Sequence, residues 1–465
     1  MDVNGQKVLV VGLGKSGVAS ALFLRARGAR VTVSDAKPQE QFRDEIPVLL
    51  EQGVTVETGK HGERTFQQQD LIVASPGVPL ELPQLAAARR AGIAIIGEIE
   101  LAARYLEGEI IAITGSNGKT TTTALTGEVI AAGGRKTLVG GNIGTPAISF
   151  VEQSSPDTWI VLEISSFQLE TIERFRPRIA AVLNLTPDHL DRHGSMQRYI
   201  AAKARIFENQ KPADFAVLNA DDPQTAAMAA GIRPTILWFS RQREVERGAF
   251  VRGGRIFFRD GVAEHEVMPG AEIGLKGAHN LENVLAAVAV GSLAGVEPAK
   301  MRTAIRDFKA VEHRLEYVAT IAGVDYYNDS KATNVDATIK ALEAFPGGIH
   351  LILGGKDKGS DYSVLAPLLR ERVRHVYMIG AAAGKIEAQI GEFSTGSAGF
   401  ASAMVTRSET LPQAIRDAAG NARAGEIVLL APACASFDQF NSYEERGRLF
   451  KQEVHALASA AGGRS

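Results

Sequence analysis

Ile110-Ile-Ala-Ile-Thr-Gly115-Ser-Asn-Gly118-Lys119-Thr120-Thr121 is the stretch that decides the fold. A short apolar run gives way to two glycines and a lysine, and then to threonines opening a helical pattern. That is the strand, glycine loop and helix start of a P-loop, with Ile113 standing where G-x-x-x-x-G-K-[ST] has its leading glycine. The working parts remain. Backbone amides over Gly115, Ser116, Asn117 and Gly118 can cradle phosphates, and Lys119 can neutralise the β and γ oxygens. The hydroxyl of Thr120 can bind Mg²⁺, with Thr121 beside it, so the expected nucleotide is ATP.

The same alternation of strand, polar turn and helix recurs along the chain. β-Branched runs at 8–11, 31–33, 71–74, 159–162, 179–185, 349–353, 376–379 and 427–430 each lead into small or polar residues. Such alternation predicts an α/β protein with doubly wound, mostly parallel sheets, whose ligands collect at the carboxyl ends of strands. A chain of 465 residues holds about three domains at ~150 residues each. The expected boundaries fall near Gly97 and Ala310, giving 1–97 and 310–465 as Rossmann-like domains around a P-loop-type centre at 98–309. A helix at 98–106 precedes the new strand, and the alternating runs around Ala322-Gly323 read as a β-hairpin. The Gly/Ser-rich stretch 394–402 reads as a loop, and no internal repeat stands out.

Composition excludes several classes. The 51 Lys and Arg residues balance 53 Asp and Glu, for a net charge of -2, which argues against a nucleic-acid or anionic-membrane binder. One cysteine, Cys434, allows no internal disulfide and no multi-cysteine metal site, and it reads as a small buried residue rather than a nucleophile. The first residues show no long apolar segment with a cleavage site, and no apolar run reaches the ~20 residues of a spanning helix. A cytoplasmic protein without membrane insertion is expected.

Gly12-Leu-Gly14-Lys15-Ser16-Gly17 matches G-x-G-x-x-G between a strand and a helix, with Asp35 at the end of the next strand. Alone this suggests a nicotinamide-dependent oxidoreductase. The physics is less specific: the glycines let amides approach a diphosphate at a helix N-terminus, and a nucleotide-diphosphate sugar satisfies the same geometry.

A P-loop calls for an acid at a neighbouring strand end, and Trp159-Ile-Val-Leu-Glu163 supplies one, followed by Ser165 and Ser166. In Asn184-Leu-Thr-Pro-Asp188-His189-Leu-Asp191-Arg192-His193, Pro187 suits a first helical turn capped by Thr186. His189 and His193 lack the glutamate of a zinc helix, whereas His189 could help bind a second magnesium. Lys203 lies among alanines on a downstream helix, where a lysine is ordinarily a solvated charge. A lysine held near metal-bound carboxyl groups can instead be neutral enough to take up carbon dioxide as a carbamate.

Taken together, nine motifs resemble the Mur ligases, the ATP-dependent amide-forming enzymes of peptidoglycan precursor synthesis. They are TGSNGKTT (114–121), GGNIGTP (140–146), LEISSFQLE (162–170), NLTPDHLDRH (184–193), GAHNLEN (277–283), EHRLE (312–316), NDSKATN (328–334), LGGKDKG (353–359) and APACASFDQF (431–440). The NDSKATN and ACASFDQF segments point to the branch that joins D-glutamate to UDP-N-acetylmuramoyl-L-alanine. The resemblance implies that Lys119 and Thr120 contact ATP phosphate and magnesium, and that Glu163, His189 and a carbamylated Lys203 surround a second Mg²⁺. It implies nucleotide contacts at Asn280, Asn283, Arg314 and Asp329. Gly14, Lys15, Ser16, Asp35 and Ser75 would hold the UDP moiety; Asn142 and Gln168 would hold the muramoyl part, with Ser165 and His189 as further substrate contacts. Lys331, Thr333, Lys358, Ser436 and Phe437 would form the D-glutamate pocket. Lys15 and Tyr443 depart from the family, which often has an apolar residue and Phe there. A monomer whose domains close over the substrates is expected.

The chemistry is consistent with those residue types. A carboxylate is a poor acyl donor until ATP converts it to an acyl phosphate, which an amine can attack. Bringing a carboxylate up to a triphosphate demands dense positive charge, here Lys119, Arg314 and two magnesium ions. The base that takes the amine proton is not legible, with His189 a candidate. Two other readings stay open within this chemistry: a Mur-type ligase with another acceptor, or a folylpolyglutamate-type ligase. Outside it stand the oxidoreductase, which leaves TGSNGKTT unexplained, and a non-catalytic nucleotide-binding regulator. As bare residues, Asp329 with Lys331 could be a surface pair, and Lys356 with Lys358 a solvated turn.

Overall fold

The computed structural model describes residues 1–275, 277–309, 311–391 and 404–462. Ala310, at the expected second boundary, and the expected loop 394–402 lie outside the described residues. The protein is α/β, with three mostly parallel sheets. Its chain divides into two compact units, Met1–Leu185 with Gln197–Glu272 and Glu282–Arg306, and Thr186–Met196 with Ile273–Leu281 and Asp307–Ser465.

The first unit holds two of the sheets. Strands β1 (Lys7–Val11), β2 (Arg30–Asp35), β3 (Thr55–Thr58), β4 (Leu71–Ala74) and β5 (Ala94–Gly97) are all parallel, in the order β3-β2-β1-β4-β5. Leu71–Ala74 is buried throughout and Lys7–Val11 in all but its lysine, as parallel strands covered on both faces require. The second sheet runs through β6 (Glu109–Thr114), β7 (Thr137–Gly141), β8 (Trp159–Glu163), β9 (Ile179–Val182), β10 (Phe215–Asn219) and β11 (Thr235–Ser240). It ends in β12 (Gly248–Arg252), β13 (Arg255–Arg259) and β14 (Glu264–Pro269), and the order is β14-β13-β12-β11-β10-β9-β6-β8-β7. The last two strands pair antiparallel, an extension that the sequence reading missed.

The expected strand 179–185 stops at Val182, because residues 183 and 184 turn their backbones to the glycine loop. Leu183 N donates to Thr114 O at 3.0 Å, and Ser116 N donates to Asn184 O at 2.9 Å. The helix expected over 98–106 is Glu98–Ala103.

The second unit is built on β15 (Glu316–Ile321), β16 (Val324–Asn328), β17 (Ile349–Gly354), β18 (Val373–Ile379), β19 (Met404–Glu409) and β20 (Ile427–Leu430), ordered β15-β16-β20-β17-β18-β19. β15 and β16 form the expected hairpin, with Ile321 opposite Val324. Ala322 and Gly323 both adopt positive φ, 49° and 78°, as a two-residue turn matched to strand twist requires.

One local expectation fails. Thr186 does not cap a helix begun by Pro187; the helix is Leu190–His193, with left-handed His189 at its N-cap. The Thr186 hydroxyl donates to Asp336 Oδ2, at 3.2 Å. Among the described residues no helix is long and apolar enough to cross a membrane.

Candidate active site

The P-loop closes the carboxyl end of β6 and opens the helix Lys119–Ala132. Gly118 sits at the N-cap with φ 83°, and a Cβ there would come within 2.3 Å of Asn283 Oδ1. Glycine is therefore required twice, for conformation and for close approach. Asn283 Oδ1 also accepts from Thr122 Oγ1 at 3.1 Å. Asn184, which the sequence reading did not assign, clamps the loop from the other side. Asn117 N donates to its Oδ1 at 2.8 Å and its Nδ2 donates to Asn117 O at 3.1 Å.

Lys119 Nζ donates to Gly115 O at 2.9 Å and to Ser116 O at 2.8 Å, which holds the ammonium over the loop. Thr120 Oγ1 donates to Glu163 Oε2 at 2.7 Å, and Asn142 Nδ2 donates to Glu163 Oε1 at 2.8 Å. Glu163 is 1% exposed at the end of β8, so the strand-end acid and the loop hydroxyl meet in a buried, oxygen-rich corner. Lys203 is not a surface charge. It is 2% exposed, and its Nζ donates to Gly115 O at 2.9 Å and Thr114 Oγ1 at 3.2 Å. The same Nζ lies 4.8 Å from the centre of the Tyr199 ring, whose hydroxyl is 2.9 Å from Ser116 Oγ. Lys119, Thr120, Glu163, Asn142 and Lys203 thus converge on one loop. Among the described residues the buried Thr121 hydroxyl has no hydrogen-bond partner. Ser165 and Gln168 form a capping box, in which Ser165 N donates to Gln168 Oε1 at 2.9 Å.

The first glycine loop is shaped from within. A Cβ on Gly17 would meet Gly12 O at 1.9 Å, so the helix Lys15–Ala26 packs directly on the turn. Asp35 Oδ2 accepts from Leu13 N at 2.9 Å and Oδ1 from Lys37 N at 2.9 Å, so this acid braces the loop backbone. Ser75 Oγ reaches Gly12 O at 3.4 Å. Gly14 and Lys15 are exposed and Ser16 is half-buried beside them.

In the second unit, three loops leave the carboxyl ends of the neighbouring strands β16, β20 and β17. They carry Asp329 to Thr333, Ser436 with Phe437, and Lys358. Lys356 and Ala435 exchange backbone hydrogen bonds of 2.8 and 3.1 Å, which ties two of these loops together. Lys331 Nζ donates to Tyr443 OH at 3.0 Å. Lys358 Nζ lies 3.3 Å from Asp188 Oδ1, and Asn334 Nδ2 donates to Asp188 Oδ2 at 3.1 Å. Asp188 was not among the expected site residues, although it adjoins His189. His189 Nε2 lies 3.6 Å from Asp188 Oδ2. Ser436 is buried, whereas Phe437 is 68% exposed.

The surface readings fail for Asp329 and Lys358 but hold for Lys356. Asp329 is 4% exposed, and Lys358 is held by Asp188, although Lys356 is exposed. Burial raises the Asp329 carboxyl to about 6 against the lowering pull of Arg314. Among the described residues, the buried Asp329 Oδ1 and Arg314 Nε have no partners, a carboxylate oxygen and a guanidinium donor each short of one hydrogen bond. His279 is held neutral, at about 3, by burial and by nearby Arg314 and Lys340. Asn280 is buried in the same unit. Cys434 is buried and its thiol is pushed up to about 11, which suits packing rather than nucleophilic attack. Among the described residues no three His, Cys, Asp or Glu side chains assemble as metal ligands.

Three family models match along the chain. They are the Mur ligase MurD-like N-terminal domain over residues 6–97, the Mur ligase middle domain over 113–291 and the Mur ligase glutamate ligase domain over 313–434. The chain is 64% identical over 458 residues to the UDP-N-acetylmuramoylalanine–D-glutamate ligase of Koribacter versatilis, covering 98% of this chain and 99% of the relative. It is 58% identical to the ligase of the same name from Acidobacterium capsulatum, covering 99% and 98%. In fold it is similar to the crystal structure of UDP-N-acetylmuramate-alanine ligase from Thermotoga maritima, with TM-score 0.61, 19% identity and coverage of 97% and 99%.

Proposed function

The chain belongs to the Mur ligase family, and from that premise we propose that it joins D-glutamate to UDP-N-acetylmuramoyl-L-alanine at the cost of ATP. The observation that carries the reading is the contact of Thr120 with Glu163 beside Lys119, all on a phosphate-binding loop. Relatives of that name, one 64% identical over nearly the full length, support the choice of substrates.

The donor set suits magnesium: a hydroxyl and a carboxylate side by side at a helix N-terminus are hard oxygen ligands. Mg²⁺ bound there would draw charge from the phosphate oxygens. We place one ion at Thr120 and Glu163, and a second with Glu163, His189 and a carbamate on Lys203.

In this mechanism the amides of the loop and Lys119 hold the charge of the γ-phosphoryl group. Arg314 supplies a cation and Asp329 an acceptor for the nucleotide, which the partnerless atoms Arg314 Nε and Asp329 Oδ1 favour. A carboxylate oxygen of the alanyl substrate attacks the γ-phosphorus and ADP leaves, forming the acyl phosphate. The D-glutamate nitrogen then attacks the acyl carbon, and phosphate departs with that oxygen. The amine proton passes to a base, for which we propose His189. Lys331, Thr333, Lys358, Ser436 and Phe437 receive the amino acid, with two cations matched to its two carboxylates.

The exposed rim of the first loop, Gly14, Lys15 and Ser16, with Asp35 and Ser75 behind it, would hold the uridine diphosphate. Asn142, Ser165 and Gln168 would hold the muramoyl group. The domain boundaries that fit these roles are 1–97, 98–309 and 310–465, and a single chain carries every proposed group.

The test is product analysis by mass, offering ATP, Mg²⁺ and UDP-N-acetylmuramoyl-L-alanine with one amino acid at a time. D-Glutamate alone should give both phosphate and amide. Turnover with a different amino acid and not with D-glutamate would reject the proposed pocket while keeping the ligase chemistry.

A further inference from the structure

Arg446 heads the fully buried side chains in volume and is 1% exposed, on the helix Tyr443–Gly462. Its Nε donates to Ser330 Oγ at 3.0 Å and its Nη2 to Ser330 O at 2.8 Å. Both terminal nitrogens reach Cys434 O at 3.3 Å. Every one of these acceptors is neutral.

Buried charges are normally matched by an opposite charge, because desolvating a lone ion is costly. Burial lowers the Arg446 pKa only to about 10, so it stays a cation at neutral pH. Among the described residues it makes no ion pair. Asp438 offsets it in part through space; its Oδ2 accepts from Ala381 N at 2.9 Å, and among the described residues its buried Oδ1 has no hydrogen-bond partner. Asp357, which acts on the neighbouring Cys434, is held by Lys385 at 2.7 Å and by Tyr362 at 2.8 Å.

The two segments that Arg446 grips are those that lead into the proposed amino-acid pocket. Ser330 precedes Lys331, and Cys434 lies two residues before Ser436. Tyr443, one helical turn back, takes Lys331 Nζ at 3.0 Å. One buried cation thus braces two of the three pocket loops and adds its field beneath them.

We propose that Arg446 is a specificity-determining positioning residue, whose charge, only partly offset by Asp438, adds to that of Lys331 and Lys358 in favouring the second carboxylate of the incoming acidic amino acid. It acts through the Ser330–Lys331 and Cys434–Ser436 segments and does not touch the reacting atoms. The inference rests on the reading of the second unit as the D-glutamate site.

Full-length Arg446→Gln, which keeps donors for the two carbonyls but removes the charge, is compared with Arg446→Lys, which keeps the charge. The readouts are KM for D-glutamate, the preference for D-glutamate over its neutral isostere D-glutamine (as substrate or competitive inhibitor), and KM for ATP. Arg446→Gln should raise KM for D-glutamate and narrow the preference, each by about tenfold, with KM for ATP within about twofold. Arg446→Lys should keep the preference within about threefold while kcat falls. An unchanged preference in folded Arg446→Gln, or a lost one in folded Arg446→Lys, would leave Arg446 a mere brace and overturn the proposal. Should Arg446→Gln not fold, Asp438→Asn decides: strengthening the uncompensated field should widen the preference, and a folded variant without widening overturns it. If the unmodified protein does not use D-glutamate, it is the parent reading that fails.

Discussion

Thr120 Oγ1 donates a 2.7 Å hydrogen bond to Glu163 Oε2, joining the first helical turn after the glycine loop to the end of β8. The two residues are 43 positions apart, and the parallel sheet brings them together because β6 and β8 are neighbours, with Ile113 opposite Glu163. A carboxylate at 1% exposure would be costly unless its oxygens were used, and Thr120 and Asn142 use both.

Glu163→Gln should therefore lower kcat by about a hundredfold or more while the fold is kept, because the amide preserves shape but not charge. It should also raise the Mg²⁺ concentration needed for half-maximal rate. A variant with ordinary magnesium dependence would remove Glu163 from the metal environment.

Gly118→Ala would place a Cβ 2.3 Å from Asn283 Oδ1, at a φ of 83°. We expect KM for ATP to rise by about tenfold or more, and binding of the UDP-sugar substrate, measured calorimetrically without nucleotide, to be unchanged. Equal losses for both ligands would indicate a general folding defect.

Carbamylation of Lys203 predicts a carbon resonance from ¹³C-labelled carbon dioxide that is absent in Lys203→Arg. Activity should fall when dissolved carbon dioxide is stripped out and return with bicarbonate. Full activity in carbon dioxide-free buffer would show that the unmodified lysine suffices.

Glu98 gives a pH dependence with a definite sign. It is buried, with Oε1 accepting from Ile148 N at 2.8 Å and Oε2 without a partner among the described residues, and burial raises its pKa from 4.5 to about 7. Between those values the folded state holds a proton that the unfolded state has released, so stability falls as pH rises through the window. The cost above pH 7 is on the order of 3 kcal/mol. Glu98→Gln should therefore melt increasingly above the unmodified protein as the buffer goes from pH 5 to pH 8. A constant difference in melting temperature would contradict this linkage.

Much of this was legible in the residues. The alternation of apolar runs with polar turns gives parallel α/β sheets, and Gly118 with Lys119 marks a loop whose conformation few other sequences tolerate. The strand-end position of Glu163 follows from four apolar residues before it. Contacts between distant segments were not legible. Thr186 read as a cap because local spacing cannot reveal Asp336, 150 residues away. Asn184 is an ordinary polar residue until its amide is seen against the backbone of Asn117. The antiparallel extension was missed although Gly253-Gly254 marks its turn. Arginines flank its apolar runs, as in Arg255-Ile-Phe-Phe-Arg259, and only the structure pairs Arg255 with Glu266 and Arg259 with Glu264.

The most direct test of the ligase mechanism follows oxygen. UDP-N-acetylmuramoyl-L-alanine labelled with ¹⁸O in both carboxyl oxygens is turned over with ATP, Mg²⁺ and D-glutamate in ordinary water. Attack of the carboxylate on the γ-phosphorus predicts one labelled oxygen in each phosphate released and one retained in the amide product. Phosphate free of the label, alongside normal amide formation, would contradict the acyl phosphate and the roles assigned around it.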